Sequence, residues 1–535
     1  MSKQAPTPQP RDTSPAVRIL AVIDIGASAM RLRIAEIGVN GEVRTLESLQ
    51  HAVHLGKDTF TTGRIQTETV EECVKIMKGF RRIMDEYGVT RPDQIRAVAT
   101  SAVREAENRE SVLDRLYMST QINVEAIEGA EENRLTYIAI QDALKGEKRL
   151  KKGNAILVDI GGGSTELLLL EDGCVTFAHS YRVGALRIRE TLETYRAPTE
   201  RLRAVLDQHI RRVVDQLHHT VPVKQVEAMV AVSGDAQFAA SLLSPSWASD
   251  RLVSLELNEF YELADKLATV PVDDLVRQYC IPYQEAETLG PASLVCEQLA
   301  RVFAVKTILV PKASLRDGLI QEMVAGSTWT GEFAVQAIYS AVTLGKKYSF
   351  DRGHAEHVAE LSVQMFRALR AEHNLDPRYE LLLRIAALLH EIGNYVSERS
   401  HHKHSMYLIL NSDLFGLRHK DIALIALTAR YHRRATPQPY HEEYQALDRD
   451  SRIAVAKLAA MLRVADALER SHLAEQRKVS FTREKNQFVA TVHDVQDLTL
   501  ERLALKEKAN MFEEVFGMPV ALQAARATLS ESAHG

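Results

Sequence analysis

The sequence predicts an α/β core of two similar lobes, then an all-α domain and a small α+β C-terminal segment. Three observations carry this. The segment at 19–43 is repeated in outline at 155–175. Strand and helix patterns alternate as far as about residue 323. Beyond about 328 the strand signals thin out, helical periodicities lengthen and most of the histidines occur. With 535 residues the chain is long enough for several cores without disulfide or metal staples.

The elements follow in order. Residues 1–16 are rich in Pro, Ser and Thr and read as a disordered lead-in, not a signal peptide. ILAVIDIGASAMRLRIAEIGVNGEV (19–43) has a buried strand, a Gly break, an alternating strand and an Asn40-Gly41 hairpin turn. A helix is expected from about Thr67 to Tyr87, a strand over 95–100, and a strand over 123–129 that enters a helix near Ala130. AILVDIGGGSTELLLLEDGCV (155–175) repeats the first segment. Asp24 aligns with Asp159, Gly26 with Gly161, Met30 with Thr165, Leu32 with Leu167, and Asn40-Gly41 with Asp172-Gly173. If each copy is half of a site, the site is a cleft between two lobes, here 17–130 and 131–325. Strands near 229–235 and 307–313 end in short polar turns, where ligands bind on open α/β sheets. The all-α domain is placed at 326–475. A segment at 476–527 starts with a hairpin pattern (478–494) and a helix (501–516), and 528–535 is a disordered tail.

Composition narrows the function. The net charge of −5 excludes a globally basic nucleic-acid binder, so any anion site is local. Four scattered cysteines without a CxxC pair argue against a thiolate zinc site and suit a reducing, cytoplasmic setting. No apolar run reaches the roughly 20 residues a membrane span requires.

The chemistry concentrates in the duplicated turns. Gly161-Gly162-Gly163-Ser164-Thr165 follows a buried strand ending near Asp159. Glycines allow close backbone approach, successive N–H groups form an anion nest, and the hydroxyls add donors. Asp159 makes sense beside Mg²⁺ rather than bare phosphate. Hydrolysis of a phosphoanhydride also needs a base for the attacking water. Glu125, Glu128, Glu131, Glu132 and Glu166 are the candidates. Glu131 and Glu132 open a helix, where acids complement the dipole, whereas Glu125 interrupts an apolar strand and calls for a reason.

Six ordered motifs, VIDIGASAMRLRI, AVATSAVREAEN, VEAIEGAEENRL, VDIGGGSTELLL, VGALRIRE and ASLRDGLI, resemble the exopolyphosphatase and guanosine pentaphosphate phosphohydrolase family. The resemblance implies a two-lobe actin-like (ribonuclease H-like, duplicated) phosphatase core. It implies Mg²⁺-assisted in-line hydrolysis of terminal phosphate from inorganic polyphosphate, with guanosine pentaphosphate hydrolysis or non-catalytic sensing of either ligand as alternatives. It also implies a homodimer. By this match Glu125 is the general base and Glu166 a catalytic or metal-binding acid. Asp24 and Asp159 are the phosphate-loop aspartates, and Asp24, Asp159 and Glu166 hold the metal. Phosphate contacts fall to Gly26, Ala27, Ser28, Arg104, Gly161, Gly162, Gly163, Ser164, Thr165 and Arg187. Two departures stand out. The family's Asp-x-Gly-Ser-Asn-Ser loop is here Asp24-Ile-Gly26-Ala27-Ser28-Ala29, and its Gly-Gly-Thr turn is Ser233-Gly234-Asp235.

The helical region resembles the His-Asp (HD) phosphohydrolase domain through His354, His390-Glu391 and Asp466, with Glu391 where that domain has aspartate. These four are a possible site for Mn²⁺ or another divalent ion. The cluster at 401–404 and His432 lie between them in sequence. In larger relatives such a domain resembles a dimerisation and chain-guiding element more than a second hydrolase.

Overall fold

The computed structural model describes residues 18–147, 150, 153–194, 204, 208, 210–212, 214, 226–247, 252–326, 329–469, 479–493 and 497–525. The two expected tails, 1–16 and 528–535, lie outside these. The chain divides into two compact units, one of residues 1–173 with 178–328, the other of 174–177 with 329–535.

The first unit contains two sheets of matching order. The first is β3-β2-β1-β4-β5, from Val43–Ala52, Ala29–Ile37, Arg18–Ile25, Ile95–Ala99 and Val124–Ala126. The second is β10-β11-β9-β6-β7-β8, from Val253–Leu255, Thr307–Val310, Ala228–Ala231, Asn154–Ile160, Thr165–Glu171 and Cys174–Tyr181. In each, an antiparallel hairpin (β1–β2, β6–β7) carries a parallel strand on its other side (β4, β9). The repeat seen in the sequence therefore extends to topology. The second sheet adds β10 as an antiparallel edge.

β1 is apolar from Ile19 to Ile23 because both its faces are covered. Ala21, Ile23 and Ile25 pack with Cys73, Met77, Phe80 and Met84 of the helix Thr67–Glu86. Leu20 and Val22 pack with Leu135 of the helix Gly129–Gly146 and with Leu319 and Ile320 of the helix Leu315–Ala325. The lobe boundary expected at 130/131 thus falls inside a helix, and chain from beyond 314 returns to cover the first sheet. Periodicity within a segment carries no information about such a return. The Asp172-Gly173 turn has φ of 51° and 80°, the doubly positive geometry of a tight hairpin.

The second unit is built on helices Gly331–Lys347, Arg352–Ala368, Arg378–Leu389, His401–Leu410, His419–Arg430 and Arg449–Leu468. Leu382, Ile385, Leu424, Ile425, Leu458 and Met461 are fully buried within it. Its C-terminal part is a three-stranded sheet, β12-β13-β14 (Val479–Arg483, Phe488–His493, Val520–Ala525). β14 pairs parallel to β13, reached through helices Thr499–Lys508 and Asn510–Phe516 that pack on Arg449–Leu468. No helix among the described residues is long and apolar enough to cross a membrane.

Candidate active site and a histidine cluster

The hairpins β1–β2 and β6–β7 close in the same way. Gly26 N–H donates to Ala29 O and Gly161 N–H to Ser164 O, both at 2.9 Å. The carbonyls of Ala27 and Ser28 accept from Gly56 and Val53, and those of Gly161 and Gly162 from Ala185 and Arg187. Two of the amides expected to face an anion, those of Gly26 and Gly161, are thus used in closing the turns. None of these loop glycines has positive φ. Crowding is what requires Gly162 and Gly163: a Cβ on Gly162 would lie 2.9 Å from Cβ of Ala27, and one on Gly163 would run into Oγ of Ser101 and the Phe60 ring.

The loops line a cleft of about 340 Å³ together with Thr100, Ser101, Glu132, Ser233, Asp235, Glu285 and Arg316. Of the expected residues, Asp24, Gly26, Ala27, Ser28, Asp159, Gly161, Gly162, Ser164 and Glu166 line it. Gly163 and Thr165 do not; the Thr165 hydroxyl donates to Val183 O. Arg187 also lies off the lining. It bonds Glu105 and Gly163 O and stacks over Phe60. Arg104 reaches the cleft through a carboxylate, pairing with Glu132 while donating to Ile127 O at 2.7 Å. Arg104 and Arg187 are thus paired with internal acids, Glu132 and Glu105, and neither lines the cleft.

Glu125 requires a correction. It lines a separate depression with Ile95, Arg109 and Tyr117, and its carboxylate pairs with Arg96 at 2.6 Å. The carboxylate that does enter the cleft from this region is Glu132, in the first turn of the helix Gly129–Gly146. Its neighbour Glu131, about 100° around the helix, is held instead by Arg96 at 3.4 Å and Arg134 at 3.5 Å. Reading both acids as dipole complements missed the difference. The usable signal was position: a helix that starts directly after a parallel strand presents its first turn at the ligand end of the sheet.

Electrostatically the cleft is acidic. Burial pushes Glu132 up to about 7, with Asp159 and Asp24 adding to the rise against Arg104. Burial raises Asp159 to about 6, and Glu166 goes well above the usual carboxylate range through burial, then Glu132 and Asp159. Asp235, which accepts from Thr288 at 3.2 Å, is raised by burial to about 7. Among the lining residues the guanidiniums are Arg31 and Arg316, 3.8 and 3.9 Å from Oδ2 of Asp24. The ASLRDGLI motif contained Arg316, but its part in the cleft was not anticipated.

An all-oxygen donor set carrying excess negative charge fits a hard cation such as Mg²⁺. The sets of three or more groups close enough to grip one ion directly are all, among the described residues, in the second unit. Ligation in the cleft would therefore rely on one or two carboxylates together with phosphate oxygens and water, the usual Mg²⁺ arrangement.

The second unit gathers its own set. His354, His390, Glu391 and Asp466 lie close together. Nε2 of His354 is 3.9 Å from Oε2 of Glu391 and 3.8 Å from Oδ1 of Asp466, and Nε2 of His390 is 3.9 Å from that same oxygen. The longer Glu391 still reaches. His401 and His432 join them. Burial lowers both imidazoles, His432 strongly, and brings His402 down to about 4. Asp466 is held well below the usual range by Lys508, whose ammonium pairs with Oδ2, and by His390, against the cost of burial.

Paired sheets of matching order, each with an aspartate-bearing hairpin at one cleft, define a two-lobe, actin-like fold. The chain belongs to the Ppx/GppA phosphatase family: residues 34–326 match that family and 338–510 match Ppx/GppA phosphatase, domain III. Among curated relatives, the guanosine-5′-triphosphate,3′-diphosphate pyrophosphatase of Aeromonas hydrophila is 25% identical over 74% of this chain and 77% of its own. The one from Pseudoalteromonas atlantica is 23% identical over 83% and 86%. Among solved structures, an exopolyphosphatase from Cytophaga hutchinsonii superposes with a TM-score of 0.52 at 24% identity, over 58% of this chain and 99% of that one. It supports the fold.

Proposed function

We propose that the chain removes the terminal phosphate of a nucleoside-linked oligophosphate, with guanosine 5′-triphosphate 3′-diphosphate as the preferred substrate. The observation that carries this is the acidic stretch of the cleft at Asp235 and Glu285. A phosphate chain continuing past the loops would meet carboxylates there. A nucleoside would bring ribose O–H and base N–H donors, which carboxylates accept. The names of the curated relatives support the same choice.

In this reading the amides of Ala27, Ser28 and Gly162 and the hydroxyls of Ser28, Ser101 and Ser164 hold the terminal phosphate. Arg31 and Arg316 offset its charge. Glu132 takes the proton of the attacking water, its raised pKa matching a base that works near neutrality. Asp24, Asp159 and Glu166 would hold Mg²⁺, which supplies neutralisation of phosphate charge. Arg104 orients Glu132 and keeps it from rising further.

Inorganic polyphosphate is the second reading, favoured by the pairing of the duplicated anion loops with two guanidiniums. The test is Mg²⁺-dependent phosphate release from both substrates by wild type and Asp235→Thr. We expect a higher kcat/KM on the guanosine substrate, and a fall of about tenfold for it alone in the variant, the size of one charge-assisted hydrogen bond. Preference for long polyphosphate, improved by the same substitution, would reverse the order of the readings.

A further inference from the structure

We propose that Ser180 and Thr136 are positioning residues of the cleft: their hydroxyls hold the carboxylates of Glu166 and Asp159 in place without neutralising them. The inference rests on the reading above, in which these two acids hold the cation and Glu132 is the base, and adds what keeps the three in register.

One face of the helix Gly129–Gly146 touches every part of this arrangement. Residues three and seven apart share a helix face, so Gly129, Glu132 and Thr136 form one stripe. Gly129 packs against Ser180 of β8: a Cβ on it would run into Cβ of Ser180 and come 2.7 Å from its Oγ. Glu132 lines the cleft. The Thr136 hydroxyl donates to Oδ2 of Asp159 at 3.4 Å. On the other side of the Gly129 contact, the Ser180 hydroxyl donates to Oε1 of Glu166 at 2.9 Å. Ser180 is therefore wedged between the start of the helix that carries Glu132 and the carboxylate of Glu166. Thr136 is buried, Ser180 is half-buried, and neither lines the cleft. Both act through the acids they hold.

Charge explains why these two donors are hydroxyls. Glu132 and Asp159 each act against the ionised form of Glu166. Carboxylates gathered this closely turn apart or take up protons unless donors hold them. Guanidiniums do this for Glu132 and Asp24, through Arg104 and Arg31, and cancel charge as they do so. The side chains hydrogen-bonded to the other two acids are Thr136 for Asp159, and Ser180 and Ser164 for Glu166. A hydroxyl fixes the direction of a carboxylate and leaves its negative charge for a cation. Ser164 itself lines the cleft, where phosphate competes for its hydroxyl, whereas Ser180 has no such second duty.

The experiment compares wild type, Ser180→Ala, Glu166→Gln and the double variant. One readout is the Mg²⁺ concentration for half-maximal phosphate release from guanosine 5′-triphosphate 3′-diphosphate, with KM for that substrate. The other is the rise in melting temperature that Mg²⁺ causes without substrate. We expect Ser180→Ala to raise the Mg²⁺ requirement about tenfold and leave KM within about twofold, as for loss of a residue that orients a metal ligand. Saturating Mg²⁺ should restore its kcat, and its Mg²⁺-induced melting shift should be smaller than that of wild type. Added to Glu166→Gln, Ser180→Ala should change neither readout, because the hydroxyl acts through that carboxylate. An unchanged Mg²⁺ requirement, a loss of kcat that Mg²⁺ does not restore, or effects that add in the double variant would overturn the proposal. Should Ser180→Ala unfold, Thr136 decides. Thr136→Val should raise the Mg²⁺ requirement and Thr136→Ser, which keeps the hydroxyl, should not; equal behaviour of the two would overturn it. Failure of the substrate reading shows elsewhere, as no phosphate release by wild type from the guanosine substrate or from polyphosphate. The melting shift then still tests the pairing, and an equal shift in wild type and Ser180→Ala overturns it.

Discussion

The two hairpins share a backbone and differ in charge. Their registers are the same, Ile25 opposite Met30 and Ile160 opposite Thr165. One step further along, Asp24 faces Arg31 and Asp159 faces Glu166. The first lobe therefore partly neutralises its aspartate, with Arg31 at 3.8 Å. The second places two carboxylates side by side, and both are driven toward protonation. Duplication supplied the geometry twice, and a single position, 31 against 166, divided the labour. At this position the first lobe adds a cation beside its aspartate and the second adds a further carboxylate.

The largest test of this division concerns the base. Glu132→Gln should lower kcat by about 10²–10⁴, the usual contribution of a positioned general base. Glu125→Gln, outside the cleft, should stay within about threefold of wild type; equal losses in both, by phosphate-release assay, would undo the assignment of the base to the helix start. Next, Glu166→Gln should raise the Mg²⁺ concentration for half-maximal activity by about 10–100-fold, as for loss of a metal-orienting group. Arg31→Gln should instead raise KM by about tenfold with the Mg²⁺ requirement unchanged, the loss of one charge-assisted contact. If both variants shifted the same constant, the lobes would not be specialised.

Smaller effects follow from the contact between the copies. Gly162→Ala should cost about 1–3 kcal/mol, the usual penalty of overpacking, measured by denaturant unfolding. Ala27→Gly in the same chain should recover part of it, since Cβ of Ala27 is the atom it meets. The smallest is a pH effect. Asp159 and Glu132 have folded pKa values above their ordinary ones, so they favour the fold when protonated. Their contribution is complete below pH about 4 and is lost as pH rises through about 6 and about 7. The buried histidines of the second unit, whose pKa values burial lowers, act in the opposite direction, so the readout is the difference between variants: between pH 5 and pH 8 the metal-free wild type should lose more melting temperature than Asp159→Asn, by calorimetry, and Mg²⁺ should raise the wild-type melting temperature more at pH 8.

Much of this was readable in the sequence. Hydrophobic runs located β1, β4 and β6, and the Asp-x-Gly repeat located both hairpins, because local pattern reports local structure. The family membership rested on ordered motifs, and His354, His390, Glu391 and Asp466, far apart in sequence, do lie close together. What failed was direction. Glu125 and Glu132 are seven residues apart, and only the strand-to-helix junction decides which of them enters the cleft. Arg104 and Arg187 looked like free cations because Glu132 and Glu105, which bind them, are matched only in space. The cover that Leu319 and Ile320 give to β1 was hidden for the same reason.

Lys508 bears on how the chain can be divided. Its ammonium neutralises Asp466, and Asn510 accepts from the buried Arg463 at 3.2 Å, so the C-terminal helices supply charge and hydrogen bonds to the interior of the helical bundle. Modular boundaries drawn from sequence at 475/476 would sever both. A fragment that stopped there would bury a lone carboxylate and strip a guanidinium of a partner. Any dissection of this protein should keep residues 329–525 together.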